Sequence, residues 1–284
     1  MSYQNSDAVV IKARATSANL GPGFDCLGIA WDLCNTIEFA KCGMLFIEGC
    51  EERFLNDGNF TVQAFKRTLA QCGIPYEGVS VRFDETNIPI SRGLGSSSAL
   101  IVAGIEGANA LYDIGMSKDE MFELATVIEG HPDNVAPAIY GGFTASLIKD
   151  GKAVTAQFPV SDDLYFTALI PDFRVETSLA RSVLPKEIAR EDAVFCTARV
   201  AMLIKAFETG DMELLKTALE DRLHEPYRRK LITGYDEIKK QVDAQGACLC
   251  ISGAGPTLLM ISDRPDLEIE TDWKIQPLKK WTIK

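Results

Sequence analysis

Residues 8–15, AVVIKARA, alternate apolar and polar positions, the period-two pattern of a strand with one buried face. The polar, glycine-bearing stretch TSANLGPGFDCLG at 16–28 then reads as a loop. TIEFAKC and MLFIEG are two short strand-like runs with Gly43 as the turn between them, and VSVRFDE at 79–85 is another. Before that last run the period lengthens. Asn59 precedes FTVQAFKRTLAQC as an N-cap and Gly73 ends it, which predicts a helix. Ser96, Ser97 and Ser98 open a second helical run that carries Leu100, Ile101, Val102, Ala103, Ile105, Ala108, Ala110 and Leu111 and reads as buried. Ser117 and Glu120 have capping-box spacing before a helix to about Glu129, with Met121, Leu124, Ala125 and Ile128 on its apolar face. A strand after the Gly141–Gly142 pair leads into the hairpin-like IKDGKAV, and the polar stretch near Ser161 reads as a passage to a second domain.

The second half opens with the strand LYFTALI and a loop, PDFRVETSLARSVLP. Helices are predicted at about 187–208 and 211–223 around Gly210, and at 235–244 before Gly246. The strands ACLCIS and LLMIS flank GAGPT at 253–257, and the last eleven residues, with four lysines and no acid, read as a solvated edge. Helices and strands are mixed without strict βαβ alternation, which predicts an α+β chain of two sandwiches, divided as 1–157 and 158–284.

A length of 284 residues leaves room for two such domains. A net charge of −11 argues against a nucleic-acid partner, which needs a basic face. It also requires that any anionic ligand be met by local cations and backbone N–H groups. The opening MSYQNSDAVVIKARA has no apolar signal core, and no run reaches eighteen apolar residues, so a cytoplasmic location away from membranes is expected. The eight cysteines form no CxxC pair and neither histidine stands near a cysteine pair, so reduced core thiols are expected rather than a zinc site.

Four sparse, polar, glycine-bearing segments interrupt these elements: 16–28, 89–99, 131–142 and 253–257. In the second, Gly93 and Gly95 allow left-handed backbone and close approach of a ligand, and three serines coincide with the unpaired N–H groups at a helix start. With the positive end of the helix dipole, that arrangement suits phosphate. It is not a Walker loop, because no lysine follows Gly95 in register, and Ser98 stands where a Rossmann fingerprint needs glycine.

SANLGPGFD, PISRGLGSSSA and GAGPT resemble, in order and character, the three motifs of the GHMP kinases, and the resemblance runs from about residue 9 to 262. HPDNVAPAIYGGF, VETSLARSVLP and EPYRRKL point to the homoserine-phosphorylating branch. The resemblance implies an α+β architecture with an N-terminal ribosomal-protein-like domain and a C-terminal ferredoxin-like sandwich. It places ATP on Pro89, Ile90, Ser91, Arg92, Gly93, Leu94, Gly95, Ser96, Ser97, Ser98 and Ala99, and Mg2+ on Ser97 and Glu123. It implies that Asn19 and Asp25 contact the polar groups of L-homoserine, and that Arg181 and Arg228 grip its carboxylate with help from Thr177. Arg229 remains an alternative to Arg228, and His131 is expected to brace its loop. Where related kinases carry an aspartate base, the matching position here is Asn134, with Asp133 beside it; either Asp133 swings in or positioning by residues such as Arg181 and Asn134 suffices. Other readings are a GHMP-type kinase for a mevalonate-like or sugar substrate and a non-catalytic nucleotide sensor, and a homodimer is left open.

Overall fold

The computed structural model describes residues 8–283, so residues 1–7 of the amino-terminal stretch read above for a signal core lie outside the described residues. The first lobe contains β1 (Val9–Ala18), β2 (Leu27–Lys41), β3 (Leu45–Glu48), α1 (Phe60–Gln71), β4 (Val79–Thr86), α2 (Ser96–Leu111), α3 (Lys118–Glu129), α4 (Val135–Tyr140), β5 (Phe143–Lys149) and β6 (Lys152–Phe158). The second contains β7 (Tyr165–Ile170), α5 (Thr177–Ser182), α6 (Arg190–Thr209), α7 (Met212–Ala218), α8 (Glu225–Arg228), α9 (Tyr235–Ala244), β8 (Cys248–Ile251), β9 (Leu258–Ser262) and β10 (Lys274–Leu278). The first sheet runs β3-β4-β2-β5-β6 with β1 also on β2, and the second runs β10-β7-β9-β8.

The period-two pattern of the second sheet explains how the lobes join. Phe166, Ala168 and Ile170 of β7 and Cys248 and Cys250 of β8 lie in one core with Trp31, Phe143 and Phe207, whereas Leu169, Leu249 and Ile251 face a separate core with Ile238 and Val242 of α9. The two cysteines therefore share a face, as their spacing requires. The Trp31 and Phe166 rings lie 5.1 Å apart, so the second sheet packs directly on the interior of the first lobe.

Several elements depart from the pattern. The loop read as 16–28 is only 19–26, because Thr16, Ser17 and Ala18 continue β1 opposite Ala30, Ile29 and Gly28. Their polarity disguised a strand whose hydroxyls are buried and hydrogen-bonded. Gly43 does not close a hairpin: β3 pairs in parallel with β4, which itself lies against β2. The loop 171–185 contains the short α5. The helix predicted over 211–223 stops at Ala218. Beyond it the Asp221 carboxylate accepts the N–H groups of Leu223, His224 and Glu225 and starts α8 instead.

The lysine-bearing end is an edge strand followed by a strap across the lobes. Trp281 donates its N–H to Ala30 O (3.0 Å), and Gly142 N and Asp32 N donate to Trp281 O and Lys279 O (both 2.7 Å). Lys280 Nζ is held by Val160 O and Ser161 O. Among the described residues, no helix is long and apolar enough to cross a membrane.

Candidate active site

A cleft of about 270 Å³ lies between the lobes, and all four glycine-bearing segments contribute to it. Its floor is the start of α2. Gly95 is the N-cap, in left-handed backbone (φ 65°, ψ 25°), and the first intrahelical bond runs from Ala99 N to Gly95 O. The N–H groups of Ser96, Ser97 and Ser98 thus have no helical partner, and Ser96 and Ser97 line the cleft. A Cβ on Gly95 would stand 1.9 Å from Thr16 Oγ1, and one on Gly93 would stand 2.3 Å from Ser252 O. These glycines hold the left-handed backbone expected of them, and the protein's own packing demands them as well as any ligand approach.

The expected eleven-residue phosphate loop divides by side chain. Ile90, Ser91, Arg92, Gly93, Gly95, Ser96 and Ser97 line the cleft. Leu94 and Ala99 are fully buried in the core, so their side chains cannot touch a nucleotide, and neither Pro89 nor Ser98 lines the cleft. Arg92 is no free phosphate cation: its guanidinium donates to Pro171 O (3.0 Å) and Asp172 O, bolting the loop to the second lobe. The 253–257 segment is stitched on as well, through Thr257 N to Arg92 O (3.1 Å) and Ser252 Oγ to Gly93 O (2.6 Å).

The carboxylate beside this helix start is Glu129. It accepts Ser97 Oγ at 2.9 Å and Ser98 Oγ at 2.7 Å. Glu123, expected there from the family resemblance, is exposed among Arg67, Gln71, Glu120, Leu124 and Val127, away from the cleft. The reason is helical phase: six residues at about 100° each turn Glu129 roughly 240° around α3 from Glu123.

At the opposite end Arg181 forms a two-bonded fork with Asp25, both N–O distances being 2.9 Å. Arg228 is 1% exposed; Nε donates to Ala180 O (3.1 Å) and one terminal nitrogen to Gly253 O (3.1 Å), yet the side chain still borders the cleft. Burial and then the charge of Arg181 push its pKa down to about 10, which leaves it cationic at neutral pH. Arg229 is exposed and does not line the cleft, so the alternative between the two arginines falls to Arg228. Thr177, at the first turn of α5, also lines it. Asn19 does too, although its amide is engaged on both sides: Oδ1 accepts Asp25 N–H (2.8 Å) and Nδ2 donates to Gly253 O (3.0 Å). Asn19 and Asp25 both hold left-handed backbone (φ 56° and 52°), a conformation that asparagine and aspartate tolerate.

Sequence reasoning missed two supports. The Phe24 ring lies 5.5 Å from the Arg181 guanidinium and 5.0 Å from that of Arg228, within cation–π range of both. His224, fully buried and kept neutral chiefly by desolvation, stacks on Phe24 and meets Gly21 O at 2.8 Å. Spacing four residues before Arg228 was the available signal for His224.

Between the two ends lie His131, Asp133 and Asn134. Asp133 Oδ1 accepts His131 Nδ1 (2.6 Å) and Asn134 N (2.9 Å), while Oδ2 is shut away without a partner among the described residues. That hydrogen bond raises the His131 pKa. Asn134 Oδ1 accepts Thr16 Oγ1 at 2.8 Å.

Known proteins resemble this chain along most of its length. The GHMP kinases N terminal domain matches residues 59–142 and the GHMP kinases C terminal domain residues 203–272. A homoserine kinase of Clostridium botulinum (strain Okra / Type B1) is 41% identical over 282 residues, covering 97% of this chain and 94% of its own. One of Clostridium beijerinckii is 41% identical over 261 residues, covering 91% and 87%. The crystal structure of homoserine kinase from Cytophaga hutchinsonii superposes with a TM-score of 0.82 at 32% identity, over 93% of this chain and 88% of that one.

Proposed function

The chain belongs to the homoserine kinases of the GHMP kinase family, and from that premise we propose that its cleft phosphorylates the side-chain hydroxyl of L-homoserine with ATP, giving O-phospho-L-homoserine. The observation that carries this reading is one cleft with an anion-binding helix start at one end and paired arginines with an aspartate at the other. A nucleotide triphosphate needs the first, and a zwitterionic amino acid needs the second.

The N–H groups of Ser96 and Ser97 point phosphate oxygens along the α2 dipole. The donor set beside them fits Mg2+: a hydroxyl and a carboxylate, Ser97 and Glu129, 2.9 Å apart and all oxygen. When bound, that ion neutralises charge on the transferring phosphoryl group. Arg181 and Arg228 hold the substrate carboxylate and Asp25 its ammonium, with Thr177 beside the carboxylate. Clamping both charges aims the hydroxyl, two carbons away from the α-centre, at the γ-phosphorus. The oxygen–phosphorus bond to homoserine forms as the bond to the ADP oxygen breaks, and the hydroxyl proton passes to a phosphoryl oxygen. Asp133 is not used as base, because one carboxylate oxygen is doubly engaged and the other is sealed. Asn134 and Arg181 act by positioning. ADP release measured over homoserine, mevalonate, galactose and shikimate tests the reading. Homoserine should be strongly preferred, and turnover of mevalonate or galactose in its place would overturn it.

A further inference from the structure

Three features converge on Thr16, a residue not among the expected ligand contacts. The β1–β2 register slips between Arg14 and Thr16, a bulge of the kind that re-aims a side chain. Gly95 leaves the space into which Thr16 Oγ1 fits, since a Cβ there would come within 1.9 Å of it. The hydroxyl then meets Asn134 Oδ1 at 2.8 Å, with Thr16 itself fully buried.

We propose that Thr16 is a positioning residue that locks the Asn134 amide so that its NH2 group, and not its oxygen, serves the cleft. The direction follows from hydrogen-bond inventory. Thr16 Oγ1 has Asn134 Oδ1 as its acceptor and no other among the described residues. Turning the amide round would make Nδ2 the donor and leave a buried hydroxyl proton without an acceptor, which is unfavourable. The Asn134 amide is engaged among the described residues through Oδ1 alone, which leaves Nδ2 for the cleft that Asn134 lines. It therefore donates to the substrate's hydroxyl oxygen, which holds one lone pair in place and leaves another for attack. The same lock denies Asn134 any part in accepting the proton. The inference rests on the phosphoryl-transfer reading above and gives the strand before the first glycine loop a role in turnover.

The test is steady-state kinetics of Thr16→Val and Thr16→Ser with ATP and homoserine, alone and in an Asn134→Ala background, each variant's fold checked by thermal denaturation. Thr16→Val should lower kcat on the order of 10- to 100-fold, the scale of a misplaced reacting group, with KM for ATP and homoserine changed less than about twofold. Thr16→Ser, which keeps the hydroxyl, should retain most of kcat. In the Asn134→Ala background the valine should cost almost nothing further, because there is no amide left to orient. An unchanged kcat in Thr16→Val, a serine variant as slow as the valine, or a full additional loss in the double variant would each overturn the proposal. Where the valine crowds Asn134 and prevents folding, Thr16→Ala takes its place under the same criteria. A wild type that releases no ADP with homoserine would instead refute the functional reading.

Discussion

Replacing Arg181 by lysine separates the charge of the substrate clamp from its geometry. In the ligand-free cleft Arg181 grips Asp25 with two bonds of 2.9 Å. On the proposed reading homoserine takes over both partners, its carboxylate on Arg181 and its ammonium on Asp25. The exposure of the two side chains, 46% and 34%, decides how much that exchange costs. A pair so open to water is worth about 0.2–1 kcal/mol, at most roughly a fivefold penalty on binding. A charge-assisted bond to the substrate is worth about 1.5–3 kcal/mol, so the exchange is favourable provided that the fork stays intact. Lysine keeps the charge but offers no fork, and losing one such bond lowers kcat/KM by about 10²-fold, or about 2.7 kcal/mol. The loss should fall partly on kcat, because remote binding energy positions the hydroxyl. The informative assay compares homoserine with 3-aminopropanol, which lacks the carboxylate, in both enzymes. Wild type should prefer homoserine strongly and Arg181→Lys should narrow that preference, with ATP affinity almost unchanged. An identical preference in the two enzymes would remove Arg181 from the clamp and leave Arg228 as the residue to test.

Other consequences are open to direct measurement. Glu129→Gln should raise the Mg2+ concentration needed for half-maximal rate and lower kcat by at least about tenfold, while Glu123→Gln should behave as wild type; a Mg2+ titration of both checks this, and the reverse pattern would restore Glu123 as the ligand. Gly95→Ala forces a Cβ onto Thr16 and a left-handed angle onto alanine, so it should cost roughly 1–3 kcal/mol of stability together with ATP affinity, and an unchanged Tm would contradict the packing. Burial raises the Glu225 pKa from 4.5 to about 8 even though Ile251 N donates to it, so its folded form favours the proton. The stability it contributes is complete below about pH 4.5 and is lost as pH rises through about 8, so Glu225→Gln should gain Tm over wild type progressively across that window. Parallel Tm–pH curves for the two proteins would contradict this.

Much of the site was legible in the sequence wherever its chemistry depends on neighbours along the chain. Asn59, Ser117 and Glu120 announce their helices because caps are local, and Ser96 to Ser98 mark the start of α2 for the same reason. Glu123 lies away from the cleft because a resemblance between sequences does not say which face of α3 a carboxylate occupies. Thr16 and Ser17 looked like loop because their hydroxyls meet Asn134, Trp31 and Ser252, partners far along the chain. Arg228 and Arg229 are equivalent as text and differ only in that one turns inward.

The strap at 279–282 has a consequence for how the molecule is made. During synthesis the first lobe emerges early, and domains commonly fold as units in that order. Here the backbone groups of Ala30, Asp32 and Gly142 must wait for Lys279 and Trp281, translated long after the first lobe, before they find their partners. Until then the nascent first lobe exposes an open seam beside the segment that carries Asp133 and Asn134. Synthesis thus couples the strap to the geometry of the cleft, and chains stalled before residue 279 should leave with the start of α2 folded but the cleft unfinished.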